Sequence, residues 1–397
     1  MTNLLFHGGN LILENRVLPG GVVAVDGSRI LAVRSGPVRT AESVAGVIDL
    51  HGSYLAPGFV DLHVHGGAGA DFMDGTEAAF RTVCQAHARH GTTSLLATTT
   101  VARHEQHLAF LEVCRRLKKL GTGGARILGA HFYGPYFGRE ARGCHPLAPV
   151  RSPVPDEYNQ YLEYFDTICT ATVAPELPGA EGFVRACLAR SIRCNAGHSH
   201  ATFDEMEKAV AWGVTHVDHL FCAMSDRARL RQTQTYPMRG GVMEATLFFD
   251  ALTTEVIADG KHLQRELLLL AHKVKGPDRL ALVTDCNRAL DMPDGEYLFG
   301  PQDGGEPILR RDGVGLMPDG QSLASGVVGM DHGVRTMHQL TGLGLPEVVR
   351  MASLTPARIA GWDEEVGSIT PGKLADLVVL DRDLQVQQVF LAGQRIV

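Results

Sequence analysis

From residue 53 onward, apolar runs of strand length alternate with amphipathic segments of helical length. The candidate strands are 59–65, 94–98, 127–132, 168–174, 192–198, 214–219, 255–258 and 280–285, and the clearest amphipathic segments are 77–90, 104–120, 181–190 and 203–212. Alternation at this spacing predicts parallel βα units. Eight such units predict an α/β fold of the (β/α)8 TIM-barrel type, in which the active site lies at the carboxyl ends of the strands.

Polar side chains occur where these predicted strands end. His63 and His65 end the first strand and, because side chains alternate with period two, point to the same face. His198, His219 and Asp285 lie at the ends of the fifth, sixth and eighth strands. Imidazole and carboxylate groups suit zinc or iron, and a metal held this way can activate water. We therefore predict a metal site of these five residues, with Asp285 also able to transfer the proton of the attacking water.

Simpler roles compete for individual residues of this set. His198 lies in the predicted loop sequence Gly197-His198-Ser199-His200, and a histidine in a loop is usually solvated. Either His216 or His219 could be a structural histidine of the sixth strand. The convergence of all five side chains on one barrel mouth favours the metal site.

The two ends of the chain have a different sequence pattern. The pattern of residues 3–50 predicts short strands separated by turn signals such as Gly8-Gly9 and Asp26-Gly27. The pattern of the last residues predicts a further pair of strands. The β unit of residues 3–50 is too small to hold a core of its own. We therefore predict a small β-sandwich domain built from residues 1–52 and 370–397, and a barrel domain of residues 53–369.

Composition excludes several classes of function. The 397 residues carry a net charge of −7, so the chain lacks the excess of basic residues that is typical of nucleic-acid-binding proteins. No apolar run approaches the roughly 20 residues that span a bilayer, and residues 1–20 lack a signal-peptide pattern. The 8 cysteines include no CxxC pair and are interpreted as reduced thiols. We predict a cytoplasmic protein with a small-molecule substrate and without a nucleic-acid or membrane partner.

A family resemblance covers almost the whole chain. It lies in segments 56–66 (APGFVDLHVHG), 91–93, 131–136 (HFYGPY), 142–146, 174–176, 197–202 (GHSHAT), 215–224, 258–262 (ADGKH), 283–285 and 367–378. In this order and spacing the segments resemble the amidohydrolase superfamily and, within it, the N-acetylglucosamine-6-phosphate deacetylase family. The resemblance implies a barrel with a split β-sandwich, a divalent metal and a homodimer.

The resemblance also implies roles for single residues. His198 and His219 match metal-binding histidines, and Asp285 matches the catalytic aspartate. His262 corresponds to the histidine that polarises the amide carbonyl or contacts the phosphate end of the substrate. The remaining substrate-binding candidates are His145, the Cys222-Ala223 backbone, and an arginine among Arg227, Arg229 and Arg231 that could meet a phosphate across a dimer interface, with Arg227 as the first choice.

Two positions depart from the family pattern. Tyr133 stands where the motif His-(Leu/Phe)-Glu-Gly-Pro has a metal-binding glutamate, and a neutral phenol is a poorer zinc ligand than a carboxylate. Cys222 stands where the family usually has asparagine, and a thiol offers little hydrogen bonding to a sugar or phosphate. Tyr133 could instead donate to an oxyanion, or simply fill the space above a missing metal.

Two metal arrangements remain without that glutamate. In the first, which we favour, His63, His65 and Asp285 hold one metal, completed by His198 or His219. In the second, His198 and His219 hold a metal with water. We predict one divalent metal per chain, zinc with iron as the alternative.

Three functions compete on this sequence. The first is metal-dependent hydrolysis of the N-acetyl amide of an amino sugar, N-acetylglucosamine 6-phosphate or a related sugar, with Asp285, His262 and Tyr133 as catalytic residues. The second is hydrolysis of a cyclic amide or deamination of a ring amine. The third is a sugar-phosphate-binding paralogue without catalysis, against which the retention of five polar groups in one mouth argues.

Overall fold

The computed structural model describes residues 4–36, 46–233 and 236–397, and its centre is a barrel of eight parallel strands. In chain order the strands are Phe59–Val64, Thr92–Thr98, Arg126–Phe132, Ile168–Val173, Arg193–Ala196, His216–Val217, Thr253–Ile257 and Leu280–Val283. The eighth strand returns to the first, where Val64 bridges Cys286 and the Asp285 amide donates to the His63 carbonyl at 3.0 Å. The predicted (β/α)8 barrel is confirmed.

Helices follow the barrel strands. They are Glu77–Arg89, His104–Leu120, Pro155–Leu162, Ala180–Leu188, Phe203–Trp212, Arg227–Leu230, Val242–Phe248, Arg265–Lys275, Met330–Thr341, Leu345–Ala352 and Leu354–Ala360. The four helices predicted from periodicity are among them. The helix Phe203–Trp212 shows the local cause of such boundaries, because Thr202 and Glu205 form a capping box at its start and Gly213 ends it in the left-handed region. Among the described residues, no helix has the length and apolarity needed to cross a membrane.

Strands from both ends of the chain meet in a second sheet. It contains Leu4–Ile12, Val17–Asp26, Arg29–Ser35, Gly46–Asp49, Tyr54–Pro57, Leu377–Leu380, Val386–Leu391 and Gln394–Arg395. Leu377–Leu380 runs antiparallel to Tyr54–Pro57, which joins the two ends of the chain directly. The predicted small β unit from both termini is confirmed. The domain boundary at residues 52 and 53 stays a prediction, and residues 1–3 and 37–45 of that domain lie outside the described residues.

The terminal sheet has its own apolar cluster and is tied to the barrel. Phe6 and Phe390 meet edge to face in that cluster, with ring centroids 4.9 Å apart. The side chain of Arg126, at the start of the third barrel strand, forms an ion pair with Asp376 through two nitrogen–oxygen contacts of 2.5 and 3.3 Å. The small sheet is therefore a support packed on the barrel.

A three-stranded antiparallel sheet follows the eighth barrel strand. Its strands are Gly295–Phe299, Glu306–Arg311 and Val314–Leu316. A shorter pair, Gly66–Gly67 and Ala70–Asp71, follows the first barrel strand. Both additions lie on the carboxyl side of the barrel strands and so contribute to the mouth.

His90 pairs with two carboxylates, Asp291 and Asp331, and the charge of this histidine should make the stability of the protein depend on pH. His90 follows the helix Glu77–Arg89, and its ring nitrogens lie 2.9 Å from Asp331 and 2.9 Å from Asp291. Burial opposes protonation, but the two carboxylates raise the pKa of His90 from 6.5 to about 9. The stabilisation is therefore complete below pH 6.5 and is lost as the pH rises through 9. After allowing for partial exposure, we expect the free energy of unfolding to fall by about 2 kcal/mol over this range.

Denaturant unfolding at a series of pH values measures this loss. The matched control is His90→Gln, which keeps a polar side chain but cannot be charged. It should lack this part of the pH dependence. Parallel profiles for the two proteins between pH 6.5 and 9 would contradict the assigned role of His90.

Candidate active site

A cavity of about 550 Å³ opens at the carboxyl ends of the barrel strands. Most of the residues singled out in the sequence line it, namely His65, Tyr133, His145, His198, His219, Cys222, Ala223, His262 and Asp285. His63 lies fully buried at the floor, in contact with the rings of His65 and Tyr133. Residues from distant parts of the sequence therefore meet in one place.

His63, His65 and Asp285 form the tightest group of ligand atoms at this floor. Oδ1 of Asp285 lies 3.1 Å from Nε2 of His65 and 3.6 Å from Nε2 of His63. The three ligand atoms lie within 4.8 Å of one another, and all three residues are buried. Nε2 of His63 is buried and has no hydrogen-bond partner among the residues that the structure describes. A buried nitrogen without a partner, beside a carboxylate and a second imidazole, fits a divalent metal.

His198 and His219 lie beside this group, together with Tyr133. Nε2 of His198 is 3.2 Å from Nε2 of His219, and the Tyr133 hydroxyl is 2.5 Å from the same His219 nitrogen. Nδ1 of His198 donates to the Ala141 carbonyl at 2.7 Å, so its Nε2 carries the lone pair that faces the cavity. The phenol oxygen of Tyr133 thus occupies the space next to the second histidine pair.

The structure separates the two histidines of the sixth strand. His216 points into the barrel interior, where its ring nitrogens lie 2.8 Å from Thr253 Oγ1 and 3.2 Å from Glu255 Oε2. His219 lines the cavity instead. His216 is therefore the structural histidine of the pair.

Three of the five predicted metal-site residues have an unusual backbone. The φ angles of His198, His219 and Asp285 are 45°, 24° and 49°. Residues other than glycine rarely adopt this left-handed region, and such strain concentrates at functional sites. The strained conformation turns each side chain from the end of its strand into the cavity mouth.

Burial and neighbouring charges set the protonation of the site. Burial raises the pKa of the Tyr133 phenol well above 10, and Asp218 and Asp285 add to this, so the phenol stays a donor. Burial lowers the pKa of His219 to about 4 and that of His198 well below its usual range, so both are neutral near pH 7. Burial opposes ionisation of Asp285, but His63 and His65 hold its pKa well below the usual range.

His63 differs from these neutral imidazoles. Burial lowers its pKa, but Glu255 and Asp285 more than compensate and raise the pKa to about 9. The two carboxylates therefore stabilise a positive charge between them. A divalent metal would supply positive charge in the same place.

Two further histidines face the region where a substrate would lie. Nδ1 of His145 accepts from the Val101 amide at 3.1 Å, which leaves Nε2–H as a donor. Nδ1 of His262 bonds with Asp259 Oδ2 at 2.7 Å, so its Nε2 remains for a ligand. Burial lowers the pKa of His262, but the hydrogen bond and charge of Asp259, with the charge of Asp285, together outweigh burial and raise the pKa.

The Cys222 thiol lies on the same cavity wall. Burial, with help from Asp285, raises its pKa to about 12, so it remains a neutral thiol.

Sequence reasoning missed several residues of this site. Phe299, from the added three-stranded sheet, packs edge to face on His65 and His145 at centroid distances of 5.0 and 4.9 Å. Ser325 donates to the Asp285 carbonyl at 2.5 Å and lines the cavity. Neither residue ends a barrel strand or belongs to a recognisable motif, and only the fold of residues 286–329 brings them here.

The arginine that lines the cavity is not the one chosen first from the sequence. Arg229 lines the cavity, where its Nη2 lies 2.7 Å from Glu140 Oε2. Arg227 does not line the cavity within one chain, and its guanidinium contacts Met238 Sδ at 4.0 Å. The role of Arg227 in substrate binding stays a prediction.

Comparisons with known proteins agree with a barrel hydrolase. A model of the amidohydrolase family matches residues 54–396. The chain is 33% identical to N-acetylgalactosamine-6-phosphate deacetylase of Escherichia coli O157:H7, over 99% of both chains. It is 31% identical to N-acetylglucosamine-6-phosphate deacetylase of Vibrio furnissii, over 86% of this chain and 82% of that protein. The chain belongs to the amidohydrolase family and is a hydrolytic enzyme that acts on carbon–nitrogen bonds, as predicted.

Solved structures agree as well. A mutant of the N-acetyl-D-glucosamine-6-phosphate deacetylase from Mycobacterium smegmatis, in complex with N-acetyl-D-glucosamine-6-phosphate, superposes with a TM-score of 0.90 at 29% identity over 100% of both chains. The N-acetylglucosamine-6-phosphate deacetylase from Pasteurella multocida gives 0.90 at 30% identity over 99% of both chains. The similarity therefore includes the terminal sheet as well as the barrel.

Proposed function

We propose that this protein hydrolyses the acetyl amide of an N-acetylated hexosamine 6-phosphate with the help of one divalent metal. The observation that carries the proposal is the convergence of His63, His65 and Asp285 at the floor of an open cavity. Relatives over nearly the whole chain act on N-acetylglucosamine 6-phosphate or N-acetylgalactosamine 6-phosphate, according to their names. Both sugars present the same acetamide and phosphate groups.

His63, His65 and Asp285 would hold the metal, with His198 or His219 completing the set. Their neutral nitrogen and anionic oxygen ligands suit zinc first and iron second. When bound, such an ion polarises the acyl carbonyl and makes water more acidic. The neutral Tyr133 phenol beside His219 supports one metal per chain, because it stands where a carboxylate would be needed to hold a second ion with His198 and His219.

Asp285 and the neighbouring donors perform the remaining steps. Asp285 takes a proton from the attacking water and delivers it to the departing amine. The Tyr133 hydroxyl can donate to the oxygen that becomes negative, and Nε2–H of His145 is a further donor on the same wall. Nε2 of His262 can donate as well when the ring is protonated, which the raised pKa of His262 favours. Cys222 and Ala223 contribute to the sugar-binding wall.

The phosphate end is the part of this proposal that one arginine pair can test. We expect Arg229→Ala to raise KM for the 6-phosphate substrate about tenfold, since a charge-assisted hydrogen bond to phosphate is lost. The unphosphorylated acetyl sugar should be unaffected. Steady-state kinetics on both sugars measures the difference. Arg227→Ala is the matched comparison on the same short helix, and an equal loss in it alone would move the phosphate contact to a neighbouring subunit.

A homodimer in the cytoplasm fits the surface and the cysteines. Tyr236, Met238 and Phe248 are large apolar side chains with exposed fractions of 85%, 58% and 70%, near the arginine-bearing helix. Exposed apolar groups of this size mark interaction surfaces. All eight cysteines are free thiols, as expected in a reducing compartment.

The decisive experiment combines metal analysis with an assay. Protein purified without chelator is analysed for zinc and iron, then assayed on N-acetylglucosamine 6-phosphate and N-acetylgalactosamine 6-phosphate. About one metal per chain with release of acetate supports the proposal, and the faster sugar identifies the substrate. One metal without acetate release directs the search to cyclic amides and ring amines. Neither metal nor turnover leaves a sugar-phosphate-binding protein.

A further inference from the structure

We propose that Glu255 is a positioning residue that orients His63 for metal binding and supplies the second negative charge of the site. The inference rests on the proposed metal-dependent function. Glu255 lies in the middle of the seventh barrel strand, Thr253–Ile257, and is 1% exposed. No motif in the sequence marks it, and it does not line the cavity.

One carboxylate holds two cavity histidines. Oε1 of Glu255 lies 2.6 Å from Nδ1 of His63 and 3.3 Å from the backbone amide of His219. Its Oε2 lies 3.2 Å from Nε2 of His216. Glu255 therefore links the first and sixth barrel strands from within the seventh.

The contact with His63 decides which ring nitrogen faces the metal. Because Glu255 accepts from Nδ1–H, the ring of His63 cannot rotate, and Nε2 points toward Asp285 Oδ1 at 3.6 Å. Metal-ligating histidines usually donate their other ring nitrogen to a carboxylate in this way, which fixes the tautomer and strengthens the ligand. Among the described residues, Glu255 is the hydrogen-bond partner of Nδ1 of His63.

The charge of Glu255 matters because the ligand group is poor in carboxylates. Asp285 is the only anion among His63, His65 and Asp285. Tyr133 occupies the position where the N-acetylglucosamine-6-phosphate deacetylase family has a metal-binding glutamate. The negative charge of that glutamate is therefore missing from the cavity. Glu255, directly behind His63, brings the charge around a divalent ion to balance.

The position of Glu255 is itself held from the other side. Nδ1 of His216 lies 2.8 Å from Thr253 Oγ1, so His216 presents Nε2 to Glu255 in a fixed orientation.

Asp218, the other buried carboxylate nearby, has different hydrogen-bond partners. Its oxygens accept from Asn195 Nδ2 and Thr172 Oγ1, each at 2.7 Å, and from no cavity histidine. Asp218 therefore offers a comparison acid, which lies within 4.8 Å of His63 and Glu255 but is hydrogen-bonded to other side chains.

Zinc affinity tests the inference. Metal-depleted wild-type protein, Glu255→Gln and Asp218→Asn are titrated with zinc against a chelating indicator, and the thermal midpoint of each metal-free protein is recorded. We expect Glu255→Gln to weaken zinc binding about 10–100-fold, as for other partners of metal-bound histidines, without a matching loss of metal-free stability. Asp218→Asn removes a nearby negative charge but no hydrogen bond to His63, so it should weaken zinc binding clearly less than Glu255→Gln does. Equal zinc affinity in wild-type protein and Glu255→Gln would overturn the inference alone, whereas wild-type protein that binds no zinc overturns the proposed function with it.

A measurement on unaltered protein covers the case in which Glu255→Gln does not fold. The histidine rings of zinc-loaded wild-type protein are labelled with ¹⁵N and observed by NMR, with His63→Gln used to assign the signals. We expect His63 to carry its proton on Nδ1 and to exchange it slowly with water. A His63 protonated on Nε2 would overturn the inference.

Discussion

Asp285→Asn is expected to reduce turnover about 10³-fold while leaving most of the bound metal in place. His63 and His65 hold the pKa of Asp285 below its usual range, so the carboxylate is ionised and can accept a proton from water. An amide oxygen can still coordinate a metal ion, but it cannot take up that proton or deliver it to the leaving amine. The measurement is kcat for acetate release on the preferred sugar phosphate, with metal content determined on the same sample.

The control for Asp285→Asn is the same change at Asp294, an exposed residue paired with Arg310 in the added sheet. It should leave both turnover and metal content unchanged. A drop in Asp285→Asn that tracks metal loss would mean that Asp285 acts only as a ligand. Turnover within about tenfold of the wild type would remove Asp285 from proton transfer altogether.

Tyr133→Glu is expected to raise the metal content from about one to about two per chain. The Tyr133 hydroxyl lies 2.5 Å from Nε2 of His219, which is itself 3.2 Å from Nε2 of His198. A glutamate there would add an anionic oxygen ligand next to two neutral imidazoles, a set that suits zinc. Elemental analysis after zinc loading and removal of excess metal gives the stoichiometry.

Tyr133→Gln separates charge from space. Glutamine has nearly the shape of glutamate but no negative charge, so it should keep about one metal per chain. Two metals in Tyr133→Gln would mean that the phenol merely blocks the second position. No additional metal in Tyr133→Glu would show that the missing carboxylate is not what limits the site.

The barrel and the strand-end residues were predictable because both follow from periodicity. A buried parallel strand is a short apolar run, and a helix on the outside repeats its apolar face every 3.6 residues. His63, His65, His198, His219 and Asp285 could be placed at one mouth, since the carboxyl ends of barrel strands point the same way. Periodicity does not report which polar group touches which, so the pairing of His198 with Tyr133 and His219 was not predictable.

Loops and the barrel interior account for what was missed. Phe299 and Ser325 reach the cavity from a segment after the eighth strand whose residues carry no chemical motif. Glu255 reads as an isolated acid in a strand, and only its neighbours His63 and His216 reveal a role. The choice between Arg227 and Arg229 depends on the turn of one short helix, which local sequence does not specify.

By itself, the sequence determined the (β/α)8 architecture, the return of the last strands to the first, and the chemical class of the cavity floor. These depend on burial patterns and on residue types at strand ends, which are local properties. Only the packing of the whole chain produces the left-handed backbone of His198, His219 and Asp285, the contact of Glu255 with His63, and the contact of the Tyr133 phenol with His219. These are contacts between residues far apart in the chain, and packing of the whole barrel holds backbone conformations that the isolated segments would avoid.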